Sequence, residues 1–157
     1  MSIPLVLRNH FQMGYVVRDV NKAAATLRDH FGVTRWQIRR MPESAPSSAL
    51  GFAYVQQTMI ELVEARPSQD TIFRDWLPES DSAARFHHLG YMIDSEQQWR
   101  ETIGQFEAVG VRAALAGSAG DLLDYYYADT VAQLGHFCEL VRLKPAGLNY
   151  FSQVPQN

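Results

Sequence analysis

Apolar residues run almost unbroken from Phe11 to Val17 and stop at Arg18-Asp19, the pattern of a largely buried strand. Val20, Ala23, Ala24, Leu27 and Phe31 then recur at helical spacing, with Asp19 or Asn21 as N-cap and Gly32 just past the end. Three strand-like stretches follow, at residues 34–39, 50–56 and 58–64. The same order then returns. Residues 85–93 read as a strand, and Ser95-Glu96-Gln97-Gln98 is a capping box opening a helix. Trp99, Ile103 and Phe106 line that helix's apolar face, Gly110 stops it, and strands are predicted near 111–115, 122–128 and 135–142. Each half predicts βαβββ.

The duplication is also written in the letters. QMGYVV at residues 12–17 matches HLGYMI at 88–93, 76 residues on. Glu61-Leu62-Val63 returns as Glu139-Leu140-Val141, and Gly32 as Gly110, both 78 residues on. The drift of two falls inside the helix, where length can vary. The predicted organisation is one α+β domain over 1–157, with module 1 at 10–64, a connector at 65–85, module 2 at 86–142 and a tail at 143–157.

The connector carries Pro67, Pro78, several serines and acids, and a helix-like stretch at 71–77. A loop of that length is either a lid or a linker covering an exposed sheet edge. In the tail, Leu148, Tyr150, Phe151 and Val154 are apolar and need a surface to pack on, for which a partner subunit is one candidate.

Composition narrows the class. A chain of 157 residues is about one domain, and 46% hydrophobic with 20% charged residues excludes a disordered segment. A net charge of −3 without a basic stripe leaves little to neutralise phosphates, so no nucleic-acid partner is expected. The one cysteine, Cys138, cannot form an internal disulfide and is expected to be a small core residue. No run reaches the roughly 18 apolar residues of a membrane span, and MSIPLVLRNHF turns polar too quickly for a signal peptide. We expect a cytoplasmic protein.

The chemistry concentrates at four positions. Gln12, Gly14 and Val16 share one strand face, and His88, Gly90 and Met92 their counterpart. Glu61 sits between Ile60 and Leu62, and Glu139 between Cys138 and Leu140. An ionised carboxylate in such a setting is expensive unless paired or bound to metal. Plainer readings stand beside this one: a strand glutamine held by core hydrogen bonds, a structural histidine, or Glu61 paired with an arginine such as Arg39. His10 is an alternative to Gln12 as a ligand. Arg35, Arg39 and Arg40 read as a solvated face or as a clamp for an anionic substrate tail.

At these residues the chain resembles the vicinal oxygen chelate superfamily, which includes glyoxalase I, methylmalonyl-CoA epimerase, extradiol dioxygenases and bleomycin-resistance proteins. The resemblance spans about residues 10–142, through QMGYVVRDVNKAAATLRDHFGV, MIELVEA, FHHLGYMID and LGHFCELVR. It implies two βαβββ modules in a cupped mixed sheet, with a divalent metal held from the first and fourth strands of each module. Carried over by position, the metal ligands are Gln12, Glu61, His88 and Glu139. Some glyoxalase I enzymes use Gln/Glu/His/Glu, whereas methylmalonyl-CoA epimerases more typically show His/Gln/His/Glu. Glutathione-handling members carry an arginine four positions after the first ligand and an asparagine four after the first glutamate. Here those positions are Val16 and Ala65, which argues against a glutathione adduct. Gln12 also breaks the His/His/Glu set of the iron-dependent dioxygenases.

Two carboxylates, an amide oxygen and one imidazole suit an octahedral Zn, Ni, Co or Mn site better than a structural zinc. The expected activity is metal-dependent proton transfer next to a carbonyl of a small molecule, of the glyoxalase or epimerase type. Glu139 is the first choice of base and Glu61 the second, and a homodimer is the expected assembly. The competing class is a metal-free protein that binds a small molecule in the same cup, lined by Tyr15, Tyr91, Tyr125, Tyr126, Tyr127 and Phe137. A noncatalytic interaction domain is a third.

Overall fold

A computed structural model describes residues 5–157; residues 1–4, which begin the stretch weighed above as a leader, lie outside it. The chain packs as two compact units, one of Gln12–His88 with Gln153–Asn157, the other of Leu89–Ser152 with the described residues up to Phe11. The first module runs β1 (His10–Val17), α1 (Val20–Phe31), β2 (Gln37–Arg40), β3 (Ser47–Val55) and β4 (Thr58–Ala65). The second runs β5 (Ala84–Met92), α2 (Glu96–Ala108), β6 (Ala113–Ala119), β7 (Leu123–Ala128) and β8 (Phe137–Leu143). Two short helices are added, α3 (Val131–Leu134) before β8 and α4 (Pro145–Phe151) after it. Strand order is β2-β3-β4-β1 in the first module and β6-β7-β8-β5 in the second, so each module sets its first strand beside its fourth.

Helix α1 has the predicted bounds because its end signals are strong. The Asp19 carboxylate accepts from the backbone N–H groups of Asn21 and Lys22, both at 3.0 Å. Val20 donates its own N–H to Glu64 of β4 at 2.8 Å, so a third first-turn donor is satisfied from across the module. Gly32 closes the helix in the left-handed region at φ 74°. In α2, Ser95 Oγ accepts from Gln98 N at 3.1 Å, while the Gln98 side chain reaches back to Asp94 N rather than to Ser95. The buried side of α1 packs Val20, Ala23 and Ala24 with Val17 and Leu62. Under α2, Phe106 packs with Tyr91, Tyr126, Cys138 and Leu140.

Several strands begin later than the pattern predicts, each because the preceding residues are engaged elsewhere. Strand β2 starts at Gln37 because the N–H groups of Thr34 and Arg35 both donate to Asn157 Oδ1, at 2.8 and 2.7 Å. Strand β6 starts at Ala113 because Val111 folds back on α2, its N–H donating to Phe106 O at 2.9 Å. Strand β8 starts at Phe137 because Gly135, at φ 79°, caps α3. The helix-like stretch of the connector shrinks to one 3₁₀ turn at Arg74–Trp76.

The tail packs on its own chain. Gly147 in α4 lies so close to Leu122 that a Cβ there would stand 1.9 Å from the Leu122 carbonyl oxygen. Beyond α4, Tyr54 N donates to Pro155 O and Asn157 N to Tyr54 O, both at 2.9 Å, which extends the sheet edge at β3.

Candidate metal centre

Alternation along the strands sorts the candidate residues from the core. Strand β1 pairs with β4 in parallel, with Gln12 opposite Met59 and Gly14 opposite Glu61. Tyr15, Val17, Ile60 and Leu62, one step out of phase, pack toward α1. Gln12, Gly14, Met59 and Glu61 therefore share the other face, and Phe52 of β3 lies directly across from Glu61. Gln12 is 3% and Glu61 7% exposed, and its amide Nε2 commits Gln12 to Met59 Sδ at 3.6 Å. That geometry makes the amide oxygen of Gln12 the end suited to a cation.

His88 completes this group and is wholly buried. Its Nε2 lies 3.0 Å from Glu61 Oε2. Its ring occupies the space above Gly14, where a Cβ would come within 1.9 Å of His88 Cε1. Glycine at that strand position is thus a steric requirement of the histidine. Glu61 thus has a buried imidazole beside it, while Arg39, the arginine weighed as an alternative partner, is exposed. His10 is also exposed, its ring edge-on to Tyr91 at 5.7 Å, whereas Gln12 is buried.

His87 was passed over in the sequence. It too is fully buried, and its Nδ1 lies 2.9 Å from His88 Nδ1. Neighbouring strand side chains normally project to opposite faces, yet here the two rings meet at their Nδ1 atoms. His87 Nε2 sits 3.2 Å from the Ile72 carbonyl oxygen. Phe73 and Trp76 pack on the same ring, at 5.0 and 5.3 Å between centroids. The connector therefore acts as a cover for His87. Burial, with the neighbouring His88 adding to it, pushes His87 down to about 2, so its ring is neutral. The available signal was a His-His pair inside an apolar strand.

Glu139 belongs to the other unit. It is 6% exposed on β8, directly across from Tyr127 of β7, while Cys138 and Leu140 face α2. Burial, and then the charge of Glu139, raise the Tyr125 phenol. Cys138 is buried as expected, and its thiol is raised by burial against the opposing hydrogen bond from Thr130. Of the six aromatics proposed as a binding lining, Tyr91 and Tyr126 lie in the core under α2, which leaves that lining incomplete. Val16 and Ala65, at the two glutathione-contact positions, are buried apolar residues. Among the described residues, no helix is long and apolar enough to cross a membrane.

No match is found among curated proteins. Solved structures share the fold across nearly the whole chain. Methylmalonyl-CoA epimerase from Mycobacterium tuberculosis is 16% identical with a TM-score of 0.67, covering 95% of this chain and 97% of that one. A Streptomyces coelicolor methylmalonyl-CoA epimerase in complex with 2-nitronate-propionyl-CoA is 14% identical, TM-score 0.63, over 86% and 96%. A methylmalonyl-CoA epimerase in complex with methylmalonyl-CoA and NH4+ is 16% identical, TM-score 0.62, over 87% and 98%. At such identity these likenesses speak for fold. A sequence model described as the glyoxalase/bleomycin resistance protein/dioxygenase superfamily matches residues 11–127, three quarters of the chain, and with the two βαβββ modules it makes this protein a member of that superfamily.

Proposed function

We propose that the protein is a divalent-metal-dependent enzyme of the epimerase or glyoxalase type, moving a proton next to a carbonyl. In this reading Gln12, Glu61, His88 and Glu139, the four positions the family resemblance implies, together hold one ion. The observation that carries it is the buried His88–Glu61 pair, 3.0 Å apart over a glycine that admits no side chain. An imidazole nitrogen, a carboxylate and an amide oxygen are hard-to-borderline donors, which fit Zn, Ni, Co or Mn. Bound there, such an ion would polarise a substrate carbonyl and stabilise the enolate, an effect worth several kcal/mol.

The side chains divide the remaining work. Glu139 takes the α-proton in this reading, from its buried place on β8 directly across from Tyr127 of β7. Glu61, turned to His88, serves first as a ligand and second as a base. The resemblance in fold to the epimerases puts acyl-CoA thioesters first among substrates to try.

The test is elemental analysis of protein purified without chelators, followed by solvent deuterium exchange read by NMR. The exchange panel is acyl-CoA thioesters, 2-oxo acids and hemithioacetals. Stoichiometric metal with metal-dependent exchange into one class is expected. Metal-free protein that shows no exchange, even after loading with Zn, Ni, Co or Mn, would contradict the proposal.

A further inference from the structure

We propose that His87 is a positioning residue that fixes the tautomer of His88 and so presents His88 Nε2 as the ligand atom. The inference rests on the metal-site reading above and deepens it. It follows from a chain of three hydrogen-bonding groups. A carbonyl oxygen can only accept, so the 3.2 Å contact to Ile72 O requires the proton of His87 to sit on Nε2. In a neutral ring that leaves His87 Nδ1 as an acceptor. His88 Nδ1, 2.9 Å away, must then carry its proton and donate it.

The consequence falls at the other end of His88. With Nδ1 protonated, Nε2 of the neutral ring presents a lone pair, and that lone pair faces Glu61 Oε2 at 3.0 Å. Two acceptors at that distance call for a positive charge between or on them. A divalent ion answers that need while using both atoms as donors. Outer partners that orient a ligating histidine in this way raise its basicity and hold its ring. Phe73 and Trp76 keep the relay dry and in place.

The primary measurement is a long-range 1H–15N correlation spectrum of the metal-free full chain at neutral pH. The expected result is His88 protonated on Nδ1, its Nε2 bare or sharing a proton with Glu61, and His87 protonated on Nε2 alone. His88 found as the Nε2–H tautomer would overturn the proposal, whatever happens to the variants. Zinc titration then compares His87→Phe, which has no acceptor, with His87→Asn, whose amide oxygen stands near the place of Nδ1. His87→Phe should weaken zinc by roughly 10–100-fold and shift His88 toward the Nε2–H tautomer, with His87→Asn restoring both. Equal zinc affinity in folded His87→Phe and parent would overturn the positioning role. Should His87→Phe fail to fold, the parent spectrum still decides. A parent with the expected tautomers that takes up none of Zn, Ni, Co or Mn overturns the metal reading but not the relay.

Discussion

Glu61 and Glu139 occupy equivalent places in the repeated module, yet their neighbours differ. Glu61 looks across a glycine to a buried imidazole, with Phe52 on its other side. Glu139 faces Tyr127 directly, with Tyr125 two residues away on the same strand. Both are buried acids flanked by core residues, so the duplication supplied the same expensive group twice. Within its own unit each acid keeps different company, an imidazole nitrogen 3.0 Å from Glu61 and two tyrosines of β7 along Glu139. Repetition of a motif thus places chemistry, and departures from repetition assign it.

The largest effect should come from separating the two acids. Glu139→Gln keeps an oxygen for the ion and removes the proton acceptor, so exchange into substrate should fall by roughly a hundredfold or more while metal remains detectable. Glu61→Gln should weaken metal with a smaller effect on exchange. Metal titration and NMR exchange on the same preparations check the pair. The opposite pattern would exchange the two roles.

Next in size is the glycine on the Glu61 side. Gly14→Ala drives a methyl into the His88 ring and should cost about 1–3 kcal/mol of stability together with most of the metal affinity. Gly147→Ala meets the Leu122 carbonyl at the same 1.9 Å and should destabilise similarly while leaving metal affinity alone. Denaturant melts beside zinc titrations separate these outcomes.

Acid should also weaken the first unit through His87. Its folded-state value, about 2, lies below the ordinary 6.5, chiefly through burial and then through His88, with Arg85 a smaller cause. The unfolded chain therefore binds the extra proton first. Stability should fall as pH drops from about 6.5 toward about 2, by at most about 1.4 kcal/mol per pH unit from this group. Melts of parent and His87→Phe across that range should show a shallower slope in the variant.

The smallest effects concern the helices of the two modules. Asp19→Ala and Ser95→Ala should each cost about 1 kcal/mol and leave exchange unchanged. Asp19 should cost more, because its carboxylate serves two backbone donors and Ser95 serves one. Thermal melts of the two variants test the ranking.

How far the molecule was legible follows from the range of the forces involved. Local signals located α1 with only its N-cap left open between Asp19 and Asn21, since Asp19 and Gly32 act within one turn of the helix they bound. The burial of Gln12, Glu61, His88 and Glu139 was legible because strand alternation and the repeat act together. Distant partners were not legible. The late start of β2 depends on Asn157, more than 120 residues away, and the tail's docking on Tyr54 lies beyond any local pattern. His87 was missed because regular alternation would turn it away from His88, whereas the two Nδ1 atoms stand 2.9 Å apart.

The central claim is that Gln12, Glu61, His88 and Glu139 hold one ion, and calorimetric titration of the demetallated protein with zinc and cobalt tests it most directly. The predicted result is one ion per chain near neutral pH, with affinity falling in acid as the ligands protonate and binding lost in Glu61→Ala and His88→Ala. Uptake unchanged in both variants, or no uptake by the parent, would contradict it.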